Sequence, residues 1–194
     1  MTCIVGYIDK ANKTVYLGGD TVSVCGTKVL TRKDSKVFAR TNPSKNTMLI
    51  GFTGSFRMGQ LLRYKLIIPQ HPEGLNTFEY MCTHFIDAVR QVLKDNGLAK
   101  INNNEEEIGT FLIAYNQRLF KVESDLQVGE IDLHYNACGN GEDYAIACMR
   151  TLSEYSREVY SAEEIVQTAL KVSEDFCNTV KKPYVILKLE GDEK

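Results

Sequence analysis

The segment TCIVGYIDKANKTVYLGGD, residues 2–20, decides the fold. Cys3 to Ile8 is a mainly apolar run, which predicts a buried strand. Asp9 to Lys13 is a polar turn, and apolar residues alternate with other residues from Thr14 to Gly19, which predicts a returning strand. The chain therefore opens with a strand, a turn and a second strand that ends at Asp20.

Strands and helices follow this segment in groups. The patterns predict strands near residues 22–24, 28–31, 36–39 and 47–52, then helices over 56–66 and 76–95, a hairpin over 109–122, a strand over 133–138, a helix over 142–152, a helix from 161 and a strand over 184–189. Strands grouped before pairs of helices predict an α+β protein. We expect two packed, mainly antiparallel sheets flanked by helices, a four-layer αββα sandwich, in one domain over residues 1–194.

Two local signals refine this prediction. Ser161 followed three residues later by Glu164 predicts a capping box that opens a helix. That helix carries the apolar residues Ile165, Ala169, Val172 and Phe176. The polar stretch KINNNEEE, residues 100–107, predicts a surface loop.

Composition excludes several classes of protein. The chain has 23 Lys and Arg against 25 Asp and Glu, a net charge of -2, which predicts neither a nucleic-acid nor an anionic-membrane partner. No apolar run approaches the roughly 20 residues of a membrane-spanning helix, and the first residues resemble no secretory signal, so we expect a cytoplasmic protein. The six cysteines include no C-x-x-C pair and are interpreted as reduced core residues, and we expect neither metal nor cofactor.

Thr2 follows the initiator methionine and offers unusual chemistry. Met1 before a small residue is normally trimmed, which would leave Thr2 with a free α-amine beside its own hydroxyl. An α-amine has a reference pKa of roughly 7.7–8.0, so a sizeable fraction is neutral at working pH and can accept the hydroxyl proton while Oγ attacks a carbonyl. One residue could then supply both nucleophile and base.

Four collinear segments resemble one known family. They are TCIVGYIDKANKTVYLGGDTVSVCG from residue 2, MLIGFTGSFRMGQLL from residue 48, NACGNGEDYAIA from residue 136 and SAEEIVQTALKVSEDFCN from residue 161. In order, they are spread from residue 2 to residue 178, along nearly the whole chain, and they resemble the proteasome β-type subunits, most closely the bacterial HslV-type peptidase. The resemblance implies the N-terminal nucleophile hydrolase fold.

The resemblance also implies roles for individual residues. Thr2 would be the nucleophile and its amine the base. Asp20 would pair with Lys36, and Lys36 would place a cation beside the Thr2 hydroxyl, which lowers the cost of forming an alkoxide. The backbone N–H of Gly54 would donate to the oxyanion. Asp175 would help to hold the N-terminal amine.

Two positions depart from the family pattern. Asn140 stands where the family has a serine whose hydroxyl contacts the amine of the nucleophile. Asparagine can accept and donate hydrogen bonds, but it cannot shuttle a proton as a hydroxyl can. Cys3 stands where close relatives often carry a second threonine, and it should point away from Thr2 because neighbouring strand residues face opposite ways.

The sequence therefore predicts a threonine-type endopeptidase that acts on peptides or unfolded proteins. By resemblance, it would assemble into a homo-oligomeric ring and could work with a AAA+ ATPase unfoldase. Two alternatives remain open: a catalytically inactive structural or assembly subunit with the same fold, which Asn140 favours, and an N-terminal nucleophile amidohydrolase that accepts small amides.

Overall fold

The computed structural model describes residues 2–98, 100–102, 105–156 and 159–191. Met1, whose removal the predicted chemistry requires, lies outside the described residues. The strands are β1 (Cys3–Asp9), β2 (Thr14–Asp20), β3 (Val22–Cys25), β4 (Lys28–Thr31), β5 (Val37–Thr41), β6 (Thr47–Phe52), β7 (Lys100–Asn102), β8 (Glu105–Glu107), β9 (Phe111–Tyr115), β10 (Arg118–Val122), β11 (Val128–Gly129), β12 (Tyr135–Gly139) and β13 (Tyr184–Glu190). The helices are α1 (Phe56–Tyr64), α2 (Thr77–Tyr80), α3 (Ile86–Asp95), α4 (Glu142–Tyr155) and α5 (Ala162–Phe176), and a π-helical turn, Met81–Phe85, joins α2 to α3.

Two antiparallel sheets pack face to face in the middle of the molecule. The first has the strand order β12-β1-β2-β13, and the second has the order β11-β10-β9-β6-β5. Since neighbouring strand residues face opposite ways, β1 sends Ile4 into the layer between the sheets, where it joins Leu17, Leu49 and Leu112. The predicted opening hairpin is confirmed, with Ile4 opposite Gly19.

Helices cover the outer faces of both sheets. Cys3, Val5 and Tyr7 of β1 pack with apolar residues of α4 and α5. On the other side, α1, the π-helical turn and α3 pack against the outer face of the second sheet. Each large apolar side chain buried in these layers contributes about 1.5–3 kcal/mol. The predicted four-layer αββα sandwich is therefore confirmed.

The segment after α3, residues 100–107, differs from the prediction. The sequence predicts a loop over residues 100–107, but β7 pairs with β8 there, with Lys100 opposite Glu107. Antiparallel pairing satisfies the hydrogen bonds of the backbone and does not require the strands to have an apolar face. Hydrophobic patterning therefore does not reveal such a two-stranded ribbon. An ion pair between Arg90 of α3 and Glu106 connects the ribbon to the helix. Asn103 and Asn104 lie outside the described residues.

Candidate active site

Thr2 lies immediately before β1 and is only 1% exposed. Its position follows from the sheet, because β1 lies between β12 and β2 and Cys3 pairs with Gly139. The backbone N–H of Gly141, just after β12, lies 3.4 Å from the Thr2 carbonyl oxygen and donates to it. The first sheet therefore holds the Thr2 backbone from the β12 side.

Asp20, at the end of β2, lies beside Thr2 because β2 runs antiparallel to β1. It is fully buried. Its carboxylate accepts hydrogen bonds from the Cys3 N–H at 3.1 Å and from the Val22 N–H at 3.2 Å, and it also accepts one from the Thr2 hydroxyl. Three donors therefore surround this carboxylate before any ion pair is counted.

Lys36 completes the group from the second sheet. It lies one residue before β5, is 2% exposed, and its backbone carbonyl accepts a hydrogen bond from the Phe52 N–H at 3.1 Å. Its ammonium Nζ lies 2.8 Å from Thr2 Oγ1 and 2.6 Å from Asp20 Oδ2. The two sheets thus bring together Thr2, Asp20 and Lys36, the three residues that the resemblance implies.

Burial shapes the electrostatics of the Asp20–Lys36 pair. It raises the pKa of the Asp20 carboxyl above its usual value, opposed by the nearby ammonium and by the backbone donors. It lowers the pKa of the Lys36 ammonium, opposed by the attraction of Asp20. Each buried charge depends on the other for compensation. A cation at this distance from Thr2 Oγ1 stabilises negative charge that develops on that oxygen.

A cleft of about 70 Å³ opens onto Thr2. Gly54 lines it at the turn between β6 and α1, with a backbone φ of +77°, a conformation that glycine adopts without steric cost. The next residue, Ser55, caps α1 by accepting from the Met58 N–H at 3.2 Å. Other lining residues are Ser23, Val24, Phe52 and Phe56. The predicted oxyanion residue therefore shares one cleft with Thr2 and Lys36.

Asn140 and Asp175 do not join the hydrogen-bonded group that the described residues form around Thr2. Both side chains are exposed, and no hydrogen bond joins either of them to Thr2 in the described part of the chain. Asn140 lies between Gly139 and Gly141, so its neighbours contact the Thr2 backbone while its own side chain faces outward. Their predicted contacts with the amine of Thr2 remain predictions.

The position of Asp175 has a geometric cause. Ser173, two residues earlier on α5, is fully buried against the first sheet. Two residues along an α-helix correspond to a rotation of about 200°, so the side chain of Asp175 lies on the outer face. Ser173 is a site neighbour that sequence reasoning missed, and its only signal was a small polar residue in an otherwise apolar helix face.

Within the described ranges, no cluster of His, Cys, Asp or Glu side chains could hold a metal ion. None of the described helices is long and apolar enough to cross a membrane. The groups that the site offers are a hydroxyl, a buried ion pair and backbone donors.

Comparisons with known proteins identify the fold. No protein-family model and no curated protein matches the chain. BPH of Thiobacillus denitrificans, solved in complex with epoxomicin, superposes with a TM-score of 0.79 at 17% identity and covers 99% of this chain and 100% of its own. HslV of Trypanosoma brucei superposes with a TM-score of 0.67 at 21% identity, and the match covers 97% of this chain and 99% of the HslV chain. Anbu, an ancestral β-subunit from Yersinia bercovieri, superposes with a TM-score of 0.67 at 15% identity, and the match covers 97% of this chain and 82% of the Anbu chain.

Proposed function

We propose, from the N-terminal nucleophile hydrolase fold that this chain shares with HslV and Anbu, that it is a threonine-type endopeptidase subunit of a proteasome-like ring. One observation carries the proposal. Lys36 Nζ lies 2.8 Å from Thr2 Oγ1 and is itself paired with buried Asp20, in a cleft that opens beside them. A hydroxyl held by a buried cation is suited to act as a nucleophile.

The proposed reaction uses Thr2 as residue 1 after removal of Met1. The neutral α-amine takes the Oγ proton as Oγ bonds to the substrate carbonyl carbon, and the carbonyl oxygen becomes an oxyanion that the Gly54 N–H stabilises. The C–N bond then breaks, the proton passes to the leaving amine, and an ester to Thr2 remains. Water then attacks the ester carbon as the amine takes a proton from it, the C–Oγ bond breaks, that proton returns to Oγ, and the acid product leaves.

The roles of the remaining groups follow from their contacts. Lys36 stabilises the negative charge that develops on Oγ1, and Asp20 keeps that lysine charged despite its burial. Among the described residues, no hydrogen bond joins Asn140 or Asp175 to Thr2, so the proposal rests on Thr2, Lys36, Asp20 and Gly54 alone.

Assembly is part of the proposal. Large apolar side chains such as Tyr64, Ile67 and Tyr155 are 72%, 79% and 80% exposed, and burial of their apolar surface against other protein would be favourable. Copies of this chain in a homo-oligomeric ring would cover such surfaces. A AAA+ ATPase partner, implied by resemblance alone, stays a prediction, as does a cytoplasmic location.

Removal of Met1 and dependence on Thr2 test the proposal. We expect the intact mass to show loss of Met1, and Thr2→Ala to lower peptide turnover at least about 10⁴-fold, because the nucleophile is removed. Thr14→Ala is the matched control, since Thr14 is a buried threonine at the far end of the same hairpin whose hydroxyl donates to the Asn12 carbonyl at 3.0 Å. We expect it to retain turnover.

Other outcomes of the same experiment favour the alternatives. Retention of Met1 with no turnover would favour an inactive structural subunit. Thr2-dependent turnover of small amides with none of peptides would favour the amidohydrolase. A native mass equal to one 21.9 kDa chain would contradict the ring.

The fall of kcat at alkaline pH should reflect loss of the positive charge on Lys36. Lys36 is charged below its pKa in the folded protein, so kcat should fall as pH rises through that value and the cation is lost. Burial lowers this pKa, so the fall should occur below the ordinary lysine value of about 10.4. Steady-state kcat from pH 6 to 11 measures it. A kcat that stays level to pH 11 would contradict the assigned role of the ammonium.

A further inference from the structure

Ser173 makes hydrogen bonds that lead from α5 directly to the backbone around Thr2. It is fully buried, and its Oγ lies 2.9 Å from the Gly141 carbonyl oxygen and 2.9 Å from the Ala169 carbonyl oxygen. A serine hydroxyl has one proton, so Ser173 donates to one of these two carbonyl oxygens at a time, and the Ala169 contact is the usual one of a helical serine to the residue four earlier. The Gly141 contact is different, because it joins α5 to the turn between β12 and α4.

Cys3 extends this arrangement to the residue after the nucleophile. Its Sγ lies 3.6 Å from Ser173 Oγ and donates to it. Burial raises the pKa of the Cys3 thiol to about 12, so the thiol keeps the proton that it donates. The Cys3 N–H donates at 3.1 Å to Asp20 Oδ1 on the other side. Cys3 therefore contacts both the catalytic ion pair and Ser173.

These hydrogen bonds, together with the peptide bond between Thr2 and Cys3, form a closed circuit beside Thr2. The Cys3 thiol donates to Ser173, Ser173 donates to the Gly141 carbonyl, and the Gly141 N–H donates to the Thr2 carbonyl at 3.4 Å. Packing is equally tight, because a Cβ built on Gly141 would lie 2.8 Å from both Cys3 Cβ and Ser173 Cβ. The turn that contacts Thr2 is thus held against α5 by a hydrogen bond and by close packing.

We propose that Ser173 is a positioning residue, which fixes the turn Gly139–Gly141 against α5 and so sets the orientation of the Thr2 backbone and its amine. This inference rests on the proposed function, because a defined amine orientation matters only where that amine acts as a base. Ser173 acts through Gly141 and touches neither substrate nor Thr2 Oγ1. A misdirected amine slows proton transfer while leaving the substrate cleft unchanged, so the effect falls on kcat and spares KM.

Ser173→Ala tests the inference against a matched control. Ser153→Ala removes another buried serine hydroxyl, one on α4 that pairs with the Tyr7 hydroxyl at 3.1 Å and has no contact with the turn. Ser153→Ala loses one buried hydrogen bond, worth about 1 kcal/mol, whereas Ser173→Ala also loses the bond from Cys3 Sγ, so a somewhat larger fall in Tm is expected for Ser173→Ala. We expect Ser173→Ala to lower kcat about tenfold with KM within about twofold of wild type, while Ser153→Ala leaves both unchanged.

Hydrogen exchange of the turn is the second readout and does not depend on activity. In Ser173→Ala, the backbone amide of Gly141 should exchange faster than in wild type and in Ser153→Ala, because the bond that holds the turn is lost. Unchanged exchange at Gly141, or equal kcat in the two serine variants, would overturn the inference. If turnover persists in Thr2→Ala, the proposed function fails, and the exchange rates still show whether Ser173 holds the turn.

Discussion

Lys36→Met is expected to lower kcat by at least about 10³-fold and to destabilise the fold by about 3–5 kcal/mol. The first effect arises because the cation 2.8 Å from Thr2 Oγ1 disappears, so negative charge on that oxygen loses its nearest stabilising group. The second arises because Asp20, fully buried, keeps its carboxylate and loses its counter-ion. Steady-state kinetics and urea unfolding measure the two effects separately.

A double variant distinguishes the effect of Lys36 on stability from its effect on catalysis. Asp20→Asn combined with Lys36→Met leaves no unpaired charge, so we expect most of the lost stability to return while kcat stays low. Arg118→Met is the control for loss of an ion pair, since Arg118 pairs with Glu130 near the β9–β10 turn, away from the cleft. If the double variant regained turnover with stability, Lys36 would serve the fold and not the reaction.

Local patterns were enough to predict much of the fold. The opening hairpin follows from a period of two and a polar turn, both encoded within residues 2–20. The capping box of Ser161 and Glu164 is confirmed, since it depends on residues three apart. The β7–β8 ribbon was missed because it has no apolar face, and the π-helical turn was missed because its spacing resembles that of the α-helix around it.

The site depended more on resemblance than on pattern. Thr2, Asp20 and Lys36 come from three strand ends, and only the packing of two sheets joins them, which no local period encodes. Phe176, one of the apolar residues of α5, is 68% exposed and stacks on Tyr144 with ring centroids 5.4 Å apart, while Ser173 is buried. Polar Ser173 could be placed inward only once its partners were known.

Gly139→Ala is expected to lower kcat at least about a hundredfold, although residue 139 takes no part in the reaction. Gly139 has a backbone φ of +100°, which costs an L-residue about 1–3 kcal/mol. The added Cβ would lie 2.4 Å from the Thr2 carbonyl oxygen and 3.1 Å from Thr53 Cγ2. The nearest atom is backbone, so the Thr2 main chain must move, and a displacement of about 1 Å can cost a hundredfold in rate. Steady-state kinetics and thermal unfolding measure the result.

Gly74→Ala separates the backbone cost from the contact with Thr2. Gly74 also has a positive φ, +79°, but a Cβ built there meets no atom within 4 Å. Both variants should therefore lower Tm through backbone strain, while only Gly139→Ala should lower kcat. Equal kcat in the two variants would mean that Thr2 tolerates displacement, and it would then contradict the view that sheet pairing at β12 sets the geometry of the proposed nucleophile. A low kcat in Gly139→Ala alone would show that the strand beside Thr2 matters to catalysis, because the proposed reaction needs the amine, the hydroxyl and the Lys36 cation in one fixed arrangement.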